Sequence, residues 1–536
     1  MEERVKRSPN TLLAIIFVFA FSTLGFSSAT NVYITQNGSS QGNCTTNPQT
    51  PAWFNSSSNW GSGAAQIGPG TTVLLCGTIT TPLAAQGSGS NGNAITILFD
   101  TLASITATCG GNGCLATTRQ ANIIVDGGTS CGWINQIQVP CNGTVRSSAT
   151  QPSGSQFGIE GSNCTNCEFR NLNIGPIYVA TSGGTQPSGD IRGIQALPSA
   201  GTGTWLVHNN IVHDSSSAIV YVPNGSNDNG FEDYNNVTYS INSSTDISNN
   251  NNGTLTGALV HDNNFGSTAN WDGSGCPNHH NSLHLFSYTQ TASGLQYYNN
   301  LINGNWGTCP TGGLFIEGNS SLVSNVTVFN NVWMLTYTPT SMGNGIVNIS
   351  ANSGGYIKFY NNTVIGESGS SDNCVFLSSS VSGATIDAEN NIVSGCNGQI
   401  IASNTGLSLF ATVDHNLYGG TSSSTPLAVN CGESGCTYYN YSSWQSACSC
   451  DSHSSFNSST SYWGGSNITG KLLSTSPALN AGANLTSLGI TGLNSDATGT
   501  ARPGGTTPWA IGAYQMSGGS TTPTPPAPTG LTAIVH

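Results

Sequence analysis

Short apolar stretches alternate with polar turns along most of this chain, in the two-residue rhythm typical of β-strands. One pattern recurs: a polar or aromatic residue, two asparagines, and then an aliphatic or β-branched residue. Seven copies lie at 208–211, 234–237, 262–265, 298–301, 329–332, 360–363 and 389–392, and a degenerate copy follows at 414–417. Their spacing of 25 to 36 residues indicates one supersecondary unit per copy.

A second apolar pattern precedes most copies by 13 to 16 residues, for example at 282–285 and 313–316. Each repeat therefore carries at least two strands. Helical repeats need segments rich in Ala, Leu, Glu and Lys, whereas Asn, Gly, Ser, Thr and Val dominate here. Propeller blades need about 40–50 residues, which is longer than these intervals. The pattern predicts an all-β chain folded as a parallel β-helix, a solenoid of stacked coils.

The asparagine pairs suit the turns of such a solenoid. Asparagine tolerates the left-handed backbone conformation of a tight turn. Identical side chains stacked from coil to coil, about 4.8 Å apart, can hydrogen-bond to one another. We therefore interpret the pairs as a structural asparagine ladder rather than as a row of ligand-binding residues.

The two ends of the chain differ from its middle. Residues 1–29 begin with basic residues, continue into an apolar stretch and end in small residues, which predicts a secretory signal peptide. Residues 30–66 are expected to cap the solenoid, whose open sheet edge needs covering, and residues 67–420 to form it. A cysteine-rich closing region is predicted over 421–515, and a Pro-, Thr- and Gly-rich linker tail over 516–536.

The amino-acid composition indicates the cellular compartment of the protein and excludes some classes of binding partner. All 16 cysteines lie beyond the predicted signal peptide, so an exported chain should form disulfides. The spacing of Cys164 and Cys167 also suits zinc, but an oxidising compartment favours a disulfide. With 6% charged residues and a formal net charge of −13, the chain lacks the basic residues that nucleic acids require. No later segment has the roughly 20 apolar residues of a membrane span.

The asparagine-turn coils resemble the pectate-lyase-like superfamily of secreted bacterial right-handed parallel β-helix proteins. Three elements near the C-terminus, SPALNAG at 476–482, RP at 502–503 and IGAY at 511–514, resemble the anchor-type region that often closes such helices. The resemblance implies a right-handed helix and an extracellular protein, secreted or on the cell surface, that acts on a polysaccharide or cell-surface glycan. The arginine motifs of pectate lyases and the Gly-His-Gly motif of polygalacturonases are absent from the sequence.

Chemically versatile side chains are concentrated in the insertion 271–286, which holds three of the nine histidines. If Leu283 and Leu285 point inward, strand alternation turns His284 and Phe286 outward. Outward apolar positions are also expected in neighbouring coils, at Val220, Val222, Val347, Ile349, Val375 and Leu377.

In the next coil the equivalent outward residues are Phe315 and Glu317, about one strand spacing, roughly 4.8 Å, away. This places an imidazole, a carboxylate and aromatic rings on one face, so we predict His284 and Glu317 as catalytic residues that exchange protons. Aromatic and polar neighbours would bind the sugar. The predicted substrate-binding residues are Trp271, Asp272, His279, His280, Phe286 and Phe315.

Several alternatives stay open at this point. The histidines could be ordinary loop and surface residues, or could bind a metal with Asp272, although their spacing matches no familiar zinc site. The acidic stretch 228–233 could bind calcium but lacks the spacing of a calcium loop, which favours a solvated turn. We therefore predict no metal or other cofactor. The function is predicted as polysaccharide binding with cleavage by a lyase or hydrolase reaction, or else as a non-enzymatic adhesin or structural scaffold.

Overall fold

Three rows of parallel strands form most of this protein. A computed structural model describes residues 28–516 except 181–186, 198–202, 224–229, 249–253, 273–278, 287–290, 318–321, 337–344, 353, 367–372, 380, 382, 397–398, 400, 405, 422, 433–434, 458–462 and 466–469. The predicted signal peptide and linker tail therefore lie almost wholly outside the described residues. None of the described helices is both long and apolar enough to cross a membrane.

The first row is a sheet of 13 strands that pair in chain order, each parallel to the next. Its strands are Asn31–Ile34, Thr72–Leu75, Ile95–Phe99, Ala121–Asp126, Thr165–Arg170, Trp205–His208, Phe231–Tyr234, Leu259–His261, Gln296–Tyr298, Val326–Phe329, Tyr356–Tyr360, Thr385–Glu389 and Phe410–Asp414.

The second row follows the asparagine turns. Its strands are Thr78–Ile79, Ser104–Ala107, Gly143–Ser147, Leu172–Ile174, Ile211–Tyr221, Val237–Ser248, Asn264–Phe265, Leu301–Asn305, Val332–Thr336, Thr363–Ile365, Ile392–Ser394, Leu417–Gly419 and Ser455–Asn457. The third row contains Leu83–Ala84, Leu115–Ala116, Gln156–Glu160, Ile191–Ala196, Asn281–Phe286, Leu314–Glu317, Val347–Ser350, Val375–Ser378, Ile401–Ala402 and Leu427–Gly432. Ile211–Tyr221 and Val237–Ser248 are long enough to belong to both rows and join them into one sheet.

In most repeats the chain passes through the first, second and third rows in turn and then returns to the first. We call one such passage a coil. Alternate side chains of each strand point into a common interior, which forms one apolar cluster along the described coils. The prediction of a largely β chain with parallel sheets is therefore confirmed, and most coils hold three strands, in keeping with the expected minimum of two.

The remaining elements are small. Gly132–Ile134 and Ile137–Val139 form an antiparallel hairpin, and Gly435–Tyr439 pairs antiparallel with the last third-row strand. Leu255–Thr256, Thr291–Ser293 and Leu322–Ser324 form a short parallel sheet. The α-helices are Pro51–Phe54 and Tyr441–Cys448, and the 3-10 helices are Ser57–Asn59, Gly110–Asn112, Ala269–Trp271, Leu407–Leu409, Thr486–Leu488 and Thr491–Asn494.

An asparagine ladder joins the first row to the second inside the stack. Each ladder asparagine donates from Nδ2 to a carbonyl oxygen of the preceding coil at 2.8–3.0 Å. The backbone N–H of every ladder asparagine except the last donates to Oδ1 of the ladder asparagine in the next coil at 2.8–3.1 Å, and that of the last, Asn416, donates to Ser454 Oγ at 2.7 Å. The ladder residues are Asn210, Asn236, Asn263, Asn300, Asn331, Asn362, Asn391 and Asn416.

The residue before each ladder asparagine has a left-handed backbone, with φ between 51° and 60°. In most coils the two residues are the Asn pair. One coil differs: Asp262 is left-handed, and Asn263, the first asparagine of its pair, is the ladder residue. In this coil the first-row strand Leu259–His261 ends two residues before Asn263, whereas in the other coils the strand ends immediately before the Asn pair. This difference determines which asparagine faces inward.

The first row extends into the N-terminal part of the described chain. Asn31–Ile34 pairs with Thr72–Leu75, so the first row begins inside the stretch 30–66 that the sequence assigned to a cap. Val32 and Ile34 are buried and extend the interior by one coil.

The segment 470–516 adds no strand to the three rows, and it packs on the outside of the stack. The left-handed asparagines, whose side chains face outward, bind it. Asn390 exchanges two 2.8 Å hydrogen bonds with the backbone of Ala483, and Asn330 Nδ2 donates to the Ser495 carbonyl at 2.8 Å. Asn361 Nδ2 donates to the Ala510 carbonyl at 3.1 Å.

The expectation of disulfides is confirmed among the described cysteines. The pairs are Cys44–Cys76, Cys109–Cys114, Cys131–Cys141, Cys164–Cys167, Cys374–Cys396, Cys431–Cys436 and Cys448–Cys450. Cys309 is disulfide-bonded as well. Cys164 and Cys167 thus form a disulfide, as an oxidising compartment favours.

Candidate functional site

The outer face of the third row carries the predicted catalytic pair. Leu283 and Leu285 are fully buried, so strand alternation turns His284 outward as expected. His284 lies in register with Phe315, and Phe286 with Glu317. His284 Nε2 and Glu317 Oε2 are 3.1 Å apart, with 11% and 20% of their side chains exposed. The structure therefore brings together the imidazole and the carboxylate that the sequence placed on neighbouring coils.

Aromatic rings surround the His284 imidazole. The rings of His279 and Phe315 lie nearly parallel to it, with centroids at 5.2 and 5.1 Å, and Phe286 is tilted against it at 4.8 Å. Burial, together with the positive charge that His284 can carry, lowers the pKa of His279. His279 therefore favours its neutral form, and the rings hold the His284 imidazole in one orientation for its hydrogen bond with Glu317.

A groove of about 430 Å³ opens beside this cluster and is lined by His279, His284 and Phe286. Asp246, on the preceding coil, lies in register with His284 and also lines the groove. Its carboxylate accepts hydrogen bonds from the Ser217 and Ser243 hydroxyls at 2.5 and 2.6 Å. The site thus offers a second carboxylate, held by two hydroxyl groups, next to the imidazole.

Charged residues line the far side of the groove. Arg192 donates from Nη2 to Asp190 Oδ2 at 2.9 Å and also hydrogen-bonds Gln195. Its guanidinium lies 5.5 Å from the centre of the Phe157 ring. A cation held in this way can contact an anionic or hydroxyl-rich ligand with little loss of side-chain entropy.

Sequence reasoning missed Asp246 and Arg192 as site residues. The sequence did contain a signal for Asp246. Val220 was expected to point outward, and Asp246 is its partner in register on the next coil. The interval from Val220 to Asp246 equals the interval between the Asn pairs of the two coils. No comparable signal marks Arg192. Insertions of different lengths separate its strand from the strand of the histidines, so the sequence does not show that the two strands are in register.

Four of the predicted substrate-binding residues do not line this groove: Trp271, Asp272, His280 and Phe315, of which Phe315 is 7% exposed. Trp271 is 2% exposed, and its Nε1 donates to the Ser240 carbonyl at 2.9 Å, so it belongs to the core. Asp272 accepts from the backbone N–H and the hydroxyl of Thr308 at 2.8 and 3.0 Å. Trp271 and Asp272 therefore do not open onto this groove, because internal partners occupy both side chains.

His280 is fully buried. Its Nδ1 lies 3.1 Å from the Thr268 hydroxyl, 3.3 Å from the Trp306 carbonyl and 3.8 Å from Asp272 Oδ1. Burial lowers the pKa of His280, so it favours the neutral form. His280 thus points away from His279 and His284, and the proposed three-histidine metal site does not form.

The apolar outward face is only partly confirmed. Val220 and Val222 point outward and line the groove. Val347 and Val375 pair in register with the inward Leu314, and Ile349 and Leu377 with the inward Ile316. These four side chains form part of the core. Their strands are shifted by one residue relative to the alignment of the apolar pattern that we expected, which turns these side chains inward.

The described part of the acidic stretch 228–233 forms neither a solvated turn nor one calcium site. Glu232 points outward and its Oε1 lies 2.9 Å from His261 Nε2. Asp233 points into the core, where it accepts from Thr245 Oγ1 at 2.6 Å and Asn236 Nδ2 at 2.7 Å. Burial raises the pKa of Asp233 to about 6. Adjacent carboxylates on opposite faces of a strand cannot share an ion.

No known protein family and no curated protein matches this sequence.

Proposed function

We propose that this chain is an extracellular right-handed parallel β-helix protein that binds a polysaccharide in the groove of the third row and cleaves it with His284 and Glu317. The handedness is supported by the strong preference of parallel strand connections for the right-handed crossover. Secretion to the medium or cell surface is supported by the disulfides and by the basic, then apolar, N-terminal sequence.

The observation that carries the proposal is the His284–Glu317 hydrogen bond of 3.1 Å at the edge of a ring-lined groove. A carboxylate beside an imidazole orients the ring, and this geometry suits His284 to exchange a proton with a bound substrate. Phe286 and His279, which line the groove, supply flat surfaces of the kind on which sugar rings stack. Asp246 provides a second acidic group on the adjacent coil, as glycosidic bond cleavage commonly requires.

A binding protein without catalysis is the second candidate. Asp190 already neutralises Arg192, and only 11% of the His284 side chain is exposed. Both features favour a groove that holds a neutral glycan without cleaving it, as an adhesin or surface scaffold would.

The test compares the secreted protein with the variants His284→Ala and Glu317→Gln on a panel of neutral and uronate-containing polysaccharides. New reducing ends would report hydrolysis, and ultraviolet absorbance of unsaturated products would report a lyase reaction. We expect each variant to lose about 10²–10⁴-fold in rate, the usual contribution of a general acid or base. His213→Ala is the matched control, since His213 pairs with Asp214 at 2.7 Å away from the groove.

Full activity in either variant would remove that residue from the mechanism. Binding on a glycan array without product release would favour the second candidate. Absence of both binding and cleavage across the panel would contradict the proposal.

A further inference from the structure

The asparagine turn of the last coil, just before Asn416, differs from the other turns at two adjacent positions. The last first-row residue before the turn is His208, Tyr234, His261, Tyr298, Phe329 and Tyr360 in six coils, and these rings stack in a row along much of their length. Here that residue is Asp414. The left-handed turn position, filled by Asn or Asp in the seven coils before, is His415. The preceding coil already has Glu389 in place of the ring, and at this turn the second position changes as well, from an amide to an imidazole.

A third residue reaches this turn from a later segment. His453, which follows the helix Tyr441–Cys448, places Nδ1 2.7 Å from Asp414 Oδ2. Its ring stacks on that of His415, with centroids 4.8 Å apart and planes 8° from parallel. One ligand atom from each of the three residues lies within 4.8 Å of the others.

Hydrogen bonds around the cluster hold its ligand atoms in place. Asp414 Oδ1 accepts the backbone N–H groups of His415 and His453 at 2.9 and 2.7 Å, which leaves Oδ2 facing the imidazoles. His415 Nδ1 lies 3.0 Å from the Ala481 carbonyl, which can only accept a hydrogen bond. His415 is therefore protonated on Nδ1 and carries its lone pair on Nε2, the arrangement that outer-shell carbonyls impose on metal-binding histidines.

We propose that Asp414, His415 and His453 form a binding site for a divalent transition-metal ion of the Zn²⁺ class. Two imidazoles and one carboxylate suit Zn²⁺, whereas calcium and magnesium prefer oxygen ligands throughout. Zn²⁺ holds nitrogen and oxygen ligands about 2.0–2.2 Å away, so Asp414 Oδ2 and His453 Nδ1, which are 2.7 Å apart, must separate by roughly half an ångström to bind it. His453 can make this movement because 66% of its side chain is exposed, and solvent can fill the fourth position. Glu389 lies in register with Asp414 on the neighbouring strand.

The site involves no residue of the proposed glycan groove. It joins the last first-row strand to the segment after the helix and, through Ala481, to the outer segment 470–516. A bound ion would therefore tie three parts of the chain together at the C-terminal end of the stack.

The test uses the full secreted protein with intact disulfides, stripped with a chelator and titrated with Zn²⁺ by calorimetry. Bound zinc is also counted after desalting. We expect one ion per chain, and at least tenfold weaker binding in His415→Asn and in His453→Ala. His415→Asn restores the asparagine found at this turn in other coils, so the fold should survive. His213→Ala removes a comparable His–carboxylate pair and should bind zinc as the parent does.

The proposal is overturned if the parent protein binds no zinc. It is equally overturned if His415→Asn and His453→Ala, shown to be folded by circular dichroism, bind zinc with unchanged affinity, since the ion would then lie elsewhere.

Discussion

At the scale of single residues, the interior of this protein contains a carboxyl group where an apolar side chain would be expected. Asp233 is fully buried and accepts hydrogen bonds from Thr245 and Asn236. These bonds stabilise the carboxylate, but burial outweighs them and raises the pKa of Asp233 from 3.8 to about 6. The folded protein thus holds a proton on Asp233 more tightly than the unfolded chain does.

This pKa difference makes stability depend on pH. The contribution of the Asp233 proton to the free energy of unfolding is fully present below about pH 4 and is lost as the pH rises through 6. At about 1.4 kcal/mol per pKa unit, the total loss is about 3 kcal/mol. Asp233→Asn removes the charge and keeps the shape. We expect this variant to have a higher melting temperature than the parent at pH 8 and a similar one at pH 4. A difference that is equal at both pH values would contradict this explanation.

At the scale of elements, the asparagine ladder connects the coils through buried hydrogen bonds. Removing one ladder side chain leaves a backbone N–H and a carbonyl without partners inside the stack, and each such group costs about 1–3 kcal/mol. Asn264, next to the ladder residue Asn263, differs in this respect, since its Oδ1 has no hydrogen-bond partner among the described residues.

One coil offers a matched test of the ladder register. We expect Asn263→Ala to lower the free energy of unfolding by about 2–4 kcal/mol, because it orphans the backbone N–H of Asn236 and the carbonyl of Asp233. Asn264→Ala should cost less than about 1 kcal/mol. Denaturant titration of both variants measures the two values. A larger loss in Asn264→Ala would show that the second asparagine of the pair holds the ladder position after all.

At the scale of the whole molecule, the segment 470–516 is bound along the outside of the coils. Arg502 is buried, and its Nη2 donates to Asn330 Oδ1 at 2.9 Å and to the Gly512 carbonyl at 3.1 Å. Its guanidinium lies 5.3 Å from the centre of the Trp509 ring. Burial lowers the pKa of Arg502 to about 10, so the side chain stays charged at neutral pH.

Loss of this side chain should release the segment while the coils stay folded. We expect Arg502→Ala to destabilise the docked segment by about 2–3 kcal/mol, since several carbonyl groups lose a charged donor. Limited digestion with proteinase K should then cut the segment earlier than in the parent. Arg146→Ala is the control, because Arg146 is exposed and donates to Thr106 Oγ1 on the surface. Equal digestion of both variants would show that Arg502 does not hold the segment.

Most of the architecture could be predicted from the sequence, whereas only part of the candidate site could. His284, Phe286, Phe315 and Glu317 were found because two adjacent coils share one strand pattern, and alternation within a strand is a local property. The misplaced residues Trp271, Asp272 and His280 lie where the insertion leaves that pattern. Their direction depends on partners such as Ser240 and Thr308, which are distant in sequence.

The sequence by itself determined the repeat, the parallel strands and the left-handed asparagine turns, because side-chain alternation and the backbone freedom of asparagine act within a few residues. Only the tertiary structure decided that Asn263 rather than Asn264 joins the ladder, and that Asp246 faces His284. It also decided that His453 meets His415 and that 470–516 lies outside the coils. These outcomes depend on the lengths of the insertions and on contacts between distant segments, which no local pattern specifies.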